Sequence, residues 1–318
     1  MHRLIFIWIL LSIACQNPSL QNANPTPPEH PELYLRNCIA TGMNERDMTF
    51  SPDGREAYFS IWSGNQGTIM QIKRTGSHWS NPQTAPFSGI YSDLEPFFSP
   101  DGNQLFFVSD RPLSIDGNIH NYDIWIMDRS ENGWSDPVNP GEPVNTEADE
   151  FYPAVTREGV LYFTGKRGDS KDEDIFRSRK TGGSYAFPER LIPAINSPGP
   201  EFNALIAPDE SFLIFSGWGR KDGLGGGDLY ITFLSEEGHW TPAINMGPVV
   251  NSAALDYCPA LAPDGSAFFF SSLRTQPDSV QSTPRSYRDL LNHHRSPQNG
   301  NTDIYWMDAS VIDSLKNR

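Results

Sequence analysis

A turn of the Pro-Asp-Gly type recurs five times along the chain, and this repeat restricts the fold more than any other feature. Its copies are FSPDG at residues 50–54, FSPDG at 98–102, VTREG at 155–159, IAPDE at 206–210 and LAPDG at 261–265. The third positions fall at 52, 100, 157, 208 and 263, which gives spacings of 48, 57, 51 and 55 residues. Spacings of this size are typical of β-propeller blades, each of which consists of four strands and their turns.

The segments around each turn have the composition of short β-strands. An aromatic run follows every turn, at residues 57–60, 105–109, 161–164, 212–216 and 267–272, and a further run follows at 69–72, 123–127, 174–177, 228–232 and 303–307. These runs are rich in Phe, Tyr, Ile and Val and are bounded by Gly, Pro, Asp and Asn, as strands are. We therefore predict an all-β fold, a single β-propeller of five four-stranded blades.

The two ends of the repeat indicate how the propeller closes. The fifth unit stops near Asp308 without a fourth strand, and residues 33–40 precede the first turn without earlier strands of their own. Counted back from the turn, residues 33–40 align with 138–145 and 244–251, which are predicted fourth strands. We expect this N-terminal strand to complete the last blade, so that no sheet edge is left open.

The N-terminus has the pattern of a bacterial lipoprotein signal. Arg3 precedes an apolar run of eleven residues at 4–14, too short to span a bilayer, and the run leads to Ser-Ile-Ala-Cys at 12–15. We predict a signal peptide over residues 1–15 with lipidation at Cys15; an ordinary cleaved signal is the alternative. Residues 16–32 contain five prolines and no aromatic residue, which predicts a tether, and the propeller domain follows at 33–318.

The charge of the chain restricts its partners. A net charge of −15 and a pI near 4.8 argue against nucleic acids and against anionic membrane surfaces. We expect membrane contact only through the lipid anchor, a location in the outer membrane on its periplasmic face, and a monomer without a cofactor. The sequence leaves open whether Cys38 and Cys258 form a disulfide in this oxidising compartment.

The repeat resembles the TolB-type β-propeller family, a WD-repeat-like group. The shared features are the Ser-Pro-Asp-Gly turn, the strand of two aromatic residues and a serine, and the strand that begins with Asp-Ile-Tyr. The resemblance covers residues 33 to about 308 and all five units. It implies a propeller in the periplasm or on the cell surface. It does not imply the function of TolB itself, because the α/β domain of that protein has no counterpart in this sequence.

A carboxylate recurs seven residues before the third position of each turn, at Glu45, Asp93, Glu150, Glu201 and Asp256. In a blade this position begins the innermost strand, so we expect five carboxylates near the central axis. Like charges repel there unless they are solvated, paired or bound to a cation. The hypothesis is a ligand- or cation-binding ring at the channel mouth, with no particular metal indicated. The alternative is that each carboxylate caps backbone N–H groups where blades join.

Long loops are predicted on the face where the inner strands begin, which we call the ring face; the five turns form the opposite turn face. The longest loop, 275–302, carries Arg285, Arg288 and Arg295, which we expect to relieve the repulsion among the ring carboxylates. Ser286 followed by Asp289 predicts a capped helix start in this loop. Loops that cluster on one face of a rigid scaffold are where binding usually occurs.

Two further patterns receive structural interpretations. In blades 2 to 5 an arginine ends the second strand and an aspartate begins the third strand. We expect each arginine to form an ion pair with the aspartate of its blade and so to clamp the hairpin. The expected pairs are Arg111 with Asp123, Arg167 with Asp174, Arg220 with Asp228 and Arg274 with Asp303. The glycine-rich run at 223–227 lacks the lysine and the helix of a phosphate cradle, so we expect a flexible loop there.

These observations favour a binding or scaffolding lipoprotein of the bacterial cell envelope without catalytic activity. Its ring face would bind a protein, a glycan or a peptidoglycan-associated partner. The alternative is a five-bladed glycan hydrolase or lyase. Such enzymes need two or three carboxylates in unequal environments, whereas the five ring positions are equivalent in the sequence.

Overall fold

A computed structural model describes residues 25–114, 117–118, 121–131, 133–168, 170–276 and 285–316. The predicted signal peptide and its lipidation site Cys15 lie outside these residues. No helix in the described ranges is long and apolar enough to cross a membrane.

Five antiparallel sheets follow one another along the chain, and each is one blade with four principal strands. The inner strands are Glu45–Phe50, Asp93–Phe98, Glu150–Val155, Glu201–Ile206 and Asp256–Leu261, and the second strands are Glu56–Ser63, Gln104–Ser109, Leu161–Gly165, Phe212–Gly217 and Ala267–Ser272. The third strands are Gln66–Thr75, Asp123–Ser130, Asp174–Ser178, Asp228–Phe233 and Asp303–Asp308. The outer strands are Gln83–Thr84, Glu189–Arg190, Ile244–Asn245 and Glu32–Leu33, and in blade 2 this position is the bridge of Val138 to Ile126. Short additional strands lie at His78–Trp79, Gly133–Trp134, Lys180–Thr181 and Ser184–Tyr185.

The inner strands surround one axis. Each contacts the inner strands of the two neighbouring blades, and the fifth contacts the first. The predicted five-bladed, all-β propeller is therefore confirmed.

Every inner strand contains a β-bulge at its third residue. The register against the second strand shifts there in all five blades. The third residues have positive φ angles: Asp47 (61°), Glu95 (56°), Tyr152 (49°), Asn203 (50°) and Cys258 (53°). Such bulges bend the strand and re-aim one side chain, and none of these five residues is a glycine. The same unusual conformation at five equivalent positions is a property of the repeat.

The hydrophobic core of the described residues forms six clusters, five at the joints between neighbouring blades and a smaller one, of Tyr152, Tyr257 and Cys258, at the axis. At the joint of blades 1 and 2, for example, Tyr58 and Ile69 pack with Phe98, Phe107 and Met127. Aromatic residues of the second strands supply most of the fully buried large side chains. Each buried aromatic contributes about 2 to 3 kcal/mol through removal of apolar surface from water, so the aromatic strand of the repeat holds adjacent blades together.

The N-terminal segment closes the propeller, as predicted. Glu32 and Leu33 pair with Trp306 and Tyr305 of the third strand of blade 5. The backbone N–H of Tyr34 also donates to the carbonyl of Ile304, at 2.9 Å. This outer strand is shorter than the predicted 33–40, because the chain turns away at Leu35, whose φ is 45°. The side chains of Tyr34 and Leu35 are then buried in the joint between blades 5 and 1.

Contact with the propeller begins before residue 33, inside the segment predicted as a tether. The N–H of Asp308 donates to the carbonyl of Pro28, at 2.8 Å. Residues 25–27 line a groove beside the turn residues Asp53 of blade 1 and Asp264 of blade 5. The chain therefore enters the domain from the turn face.

In the described part of the chain, two short helices lie outside the blades. Ser310–Lys316 packs Ile312 and Leu315 against the core at the joint of blades 4 and 5. Tyr287–His294 lies in the longest loop and begins with the predicted capping box, in which Ser286 and Asp289 bond each other's backbone N–H groups. No residue of the helix Tyr287–His294 is buried.

Candidate functional site

The five ring carboxylates are fully buried at the start of their inner strands. They are Glu45, Asp93, Glu150, Glu201 and Asp256, and each has a relative exposure of 0%. Glu150 accepts hydrogen bonds from the backbone N–H and the hydroxyl of Thr146, at 2.9 and 2.7 Å. Equivalent bonds join Glu201 to Ser197, Asp256 to Ser252 and Glu45 to Thr41. In these four blades the carboxylate caps the turn that leads into the inner strand.

An arginine of the same blade pairs with four of the ring carboxylates. The N–O distances are 2.7 Å for Arg111–Asp93, 2.9 Å for Arg167–Glu150, 2.9 Å for Arg220–Glu201 and 2.7 Å for Arg274–Asp256. Each guanidinium also lies over aromatic rings of its own blade, such as those of Phe215 and Tyr230 for Arg220. Blade 1 has no arginine at this position, and Glu45 accepts hydrogen bonds from the backbone N–H groups of Thr41 and Met43.

The predicted pairing of these arginines with the aspartates of the third strands is wrong. The end of each second strand lies between an inner-strand carboxylate and a third-strand aspartate, as Ser109 does between Asp93 and Asp123. The arginine that follows turns toward the inner carboxylate. The aspartates bond the outer parts of the blade instead: Asn139 donates to Asp123 (2.7 Å), Arg190 to Asp174 (2.7 Å), Asn245 to Asp228 (2.9 Å) and the N–H of Gln298 to Asp303 (2.6 Å).

Arg285, Arg288 and Arg295 do not reach the ring carboxylates. All three are exposed, and within the described ranges none forms an ion pair with a ring member. The expectation that they relieve repulsion in the ring is therefore incorrect, since the arginines of the blades already do so. Burial raises the pKa of Glu45, Glu150 and Glu201, against the lowering effect of their hydrogen bonds.

A different set of side chains meets at the axis, two residues farther along each inner strand. These axial residues are the five bulge positions, Asp47, Glu95, Tyr152, Asn203 and Cys258, and all of them are buried. Arg46 binds two of them: its Nε donates to Asp47 Oδ1 and its Nη2 to Glu95 Oε1, both at 2.8 Å. The N–H of Tyr152 donates to Glu95 Oε2 at 2.6 Å, so residues from three blades are joined.

With both of its carboxyls ionised, the axial cluster would contain more negative than positive charge. One guanidinium, that of Arg46, serves two carboxylates that are only 2% and 4% exposed, Asp47 and Glu95. Asp47 Oδ2 is buried without a hydrogen-bond partner. Burial raises the pKa of Glu95 to about 8; Arg46 opposes this shift and the charge of Asp47 adds to it. Cys258 is a free thiol, and no group of three or more metal-ligating side chains lies together in the described part of the chain.

A cavity of about 290 Å³ opens on the turn face above this cluster. We call it the axial cavity, because inner strands of all five blades line it. Its wall includes Thr49, Glu95, Tyr152, Leu205 and Pro259, and the prolines of four turns surround its mouth. The enclosed space therefore lies at the opposite end of the axis from the face on which the sequence places the ring.

Sequence reasoning missed the axial residues because it searched for positions that repeat. The ring position is acidic in every blade, whereas the position two residues later is Asp, Glu, Tyr, Asn and Cys in turn. Arg46 likewise stands where the other blades have Leu94, Phe151, Phe202 and Tyr257. The sequence signal that could have identified the axial residues is the loss of repetition at their position, because residues that face a shared axis can differ between blades.

The longest loop places a basic segment on the ring face. Asn299 and Asn301 each donate to the carbonyl of Gly42, at 3.0 Å, and so fix the end of the loop beside the start of the first inner strand. Residues 285–295, which we call the arm, precede this attachment. The arm exposes Tyr287 by 80% and Leu290 by 50%, together with its three arginines.

Comparison with known proteins concerns the fold alone. No family model matches the chain, and no curated protein matches it. Among solved structures, the native arabinanase Arb43A of Bacillus subtilis is 11% identical with a TM-score of 0.50, over 86% of this chain and 95% of the arabinanase. TolB from Acinetobacter baumannii is 15% identical with a TM-score of 0.46, over 83% of this chain and 54% of TolB, so the chain spans about half the length of that protein. The chain is thus similar in fold to an arabinanase, and at identities this low the similarity does not extend to function.

Proposed function

We propose that this protein is a non-catalytic binding protein of the bacterial cell envelope, tethered through Cys15, whose arm binds an acidic protein on the ring face. The observation that carries the proposal is the helix Tyr287–His294, which lies on the ring face with no residue buried against the propeller. Tyr287 and Leu290 are three residues apart and therefore neighbours on one exposed face of this helix, and an exposed apolar face is typical of a protein interaction site.

The composition of the arm indicates what kind of partner fits. Residues 285–295 contain three arginines and one aspartate, in a chain whose net charge is −15. Arginine and tyrosine are enriched among the residues that contribute most to protein interfaces, and Tyr287 and Leu290 supply apolar surface between the charges. A basic, partly apolar segment on an acidic protein is complementary to an acidic protein surface.

The axial carboxylates support binding rather than hydrolysis. A glycosidase presents two carboxyl groups to one substrate, about 5 to 10 Å apart and in unequal environments. Here Asp47 and Glu95 both bind Arg46, and only Glu95 borders the axial cavity. A substrate in the cavity would therefore meet a single carboxyl group.

Photo-crosslinking in the native bacterium tests the proposal. A photoreactive phenylalanine at position 287 of the full chain should give one discrete adduct with an acidic envelope protein. The same residue at Asn103, which is exposed on the turn face, is the matched control and should not give this adduct. The combined change Arg285→Glu and Arg288→Glu should abolish the adduct through charge repulsion, whereas Arg55→Glu on the turn face should leave it intact.

Three outcomes would contradict the proposal. The first is the absence of any adduct from position 287, and the second is an adduct of equal yield from position 103. The third is an adduct that survives reversal of the two arm charges. Crosslinking to glycan in place of protein would also overturn the assignment of the partner.

A further inference from the structure

The walls of the axial cavity are mostly apolar. Proline rings of three inner strands, Pro96, Pro153 and Pro259, face it together with Phe97 and Leu205. A pocket of this kind binds the apolar body of a small molecule, and a few polar groups determine which molecule fits.

The backbone around the cavity provides few hydrogen-bond donors. Inner strands have no neighbour on their axial side, so their peptide groups on that edge are not paired within the sheet. Pro96, Pro153 and Pro259 carry no N–H, so three of the five strands lack a backbone donor at this level of the channel. The carbonyl of Pro259 accepts a hydrogen bond from the hydroxyl of Tyr152, at 3.0 Å.

The charge at the floor of the cavity has the same bias. Glu95 borders the cavity and shares Arg46 with Asp47. Burial raises the pKa of Glu95 to about 8, so its carboxyl is largely protonated at neutral pH. A cation beside it favours the ionised form, in which the three groups carry one excess negative charge. Asp47 Oδ2 is buried and has no hydrogen-bond partner among the residues that the structure describes. An uncompensated charge in an apolar site is unfavourable, and a cation that enters the cavity would offset it. Arg157 stands at the mouth in contact with water, which screens its charge.

We infer that the axial cavity binds an organic cation, a molecule with an apolar body and one ammonium group that lies against the carboxylate of Glu95. The apolar body occupies the space between the prolines and Leu205. The ammonium supplies the donors and the positive charge that the wall lacks.

Calorimetric titration of the full chain with primary alkylammonium ions, from butyl to octyl, tests this inference. The affinity should rise roughly fourfold with each added methylene, because each one leaves water for the cavity. The alcohols and carboxylates of the same chain lengths should bind at least about tenfold more weakly, because they lack the cation. Equal affinity for ammonium ions and alcohols would overturn the inference, and so would no binding of any ammonium ion.

Variants separate the role of Glu95 from that of the apolar wall. Glu95→Gln should reduce the affinity for octylammonium to that for octanol and leave octanol unaffected. Glu158→Gln removes a carboxylate from the turn face outside the cavity and should change neither affinity. Ala262→Trp at the mouth should exclude all the ligands while the charges of the floor stay intact, so it remains informative even where Glu95→Gln does not fold. An unchanged preference for ammonium in Glu95→Gln, or undiminished binding in Ala262→Trp, contradicts the assignment.

Discussion

Glu201 and Arg220 form a buried ion pair inside one blade, and three other blades repeat it with their own residues. Burial of this pair is tolerated because each charge has further partners. Glu201 also accepts hydrogen bonds from the backbone N–H and hydroxyl of Ser197, and Arg220 lies over two aromatic rings. Removal of one partner from such a pair leaves the other as an isolated charge in an apolar surrounding, which is costly. The ring carboxylates therefore stabilise the joint between the turn and the inner strand.

We predict that Glu201→Gln lowers the free energy of unfolding by about 3 kcal/mol, because Arg220 is left without its counter-ion. Denaturant titration followed by tryptophan fluorescence measures the change. Glu236→Gln, an exposed glutamate in the same blade, is the control and should cost less than about 1 kcal/mol. The double variant Glu201→Gln with Arg220→Met should recover part of the loss; equal stability of Glu201→Gln and the native protein would show that the pair contributes nothing.

The sequence predicted the position of these carboxylates but not their partners. Repetition at a fixed distance from the turn placed all five at the start of the inner strands, which is correct. The arginine partner was misassigned, because separation along the chain favours the aspartate that follows each arginine. The pairing register of the strands places one carboxylate on each side of the second strand, and the arginine contacts the one on the inner strand. The sequence alone does not show which of these two neighbouring carboxylates the arginine contacts.

At the scale of strands, closure of the propeller depends on a short segment with a large side chain at its end. The strand that pairs with blade 5 consists of Glu32 and Leu33, and Tyr34 packs edge-on against the rings of Phe269 and Trp306, with centroids 4.9 and 5.6 Å away. A two-residue strand has little stability of its own. Burial of Tyr34 in the joint between the last and first blades therefore supplies much of the energy that holds the ends together.

We predict that Tyr34→Ala lowers the free energy of unfolding by about 3 to 4 kcal/mol, because it leaves a cavity in the closing joint. Thermal and denaturant melting measure the effect. Tyr287→Ala is the matched control, since the same substitution at a side chain 80% exposed should be nearly neutral. Equal melting temperatures for the two variants would mean that the N-terminal segment does not stabilise the closed propeller.

The glycine-rich run shows where element-level prediction failed. Residues 223–227 are not a free loop: the N–H of Gly226 donates to the carbonyl of Ala254. A Cβ on Gly225 would lie 2.5 Å from the carbonyl oxygen of Ser252, so only glycine permits this approach of two backbones. The glycine content predicted a flexible loop, whereas glycine is required here because the backbones of blades 4 and 5 are in close contact. Composition cannot distinguish these two uses of glycine.

At the scale of the whole molecule, the two faces of the propeller differ in what they present. The turn face carries the mouth of the axial cavity and the groove lined by residues 25–27. The ring face carries the arm, fixed through Asn299 and Asn301. Five similar joints make the body between them a rigid ring, so groups on one face keep their orientation relative to the other.

We predict that Cys15→Ser moves the protein from the membrane fraction to the soluble fraction, or leaves it as an unprocessed precursor, because the thiol is the proposed site of lipid attachment. Fractionation of cells and immunoblotting measure the distribution. Cys258→Ala is the matched control, because its thiol is buried at the axis and cannot be lipidated in the folded protein. Membrane retention of the serine variant equal to that of the control would rule out this anchor.

The entry of residues 25–27 on the turn face sets an orientation. Nine residues, 16–24, separate Pro25 from Cys15, so the two are at most about 35 Å apart. In a molecule anchored at Cys15, the mouth of the axial cavity would therefore face the membrane, and the arm would point away from it. Amphiphilic cations that leave the bilayer would meet the cavity first, while a protein partner would approach from the far side. The propeller would then act as a two-sided adaptor with a lipid-facing and a compartment-facing surface.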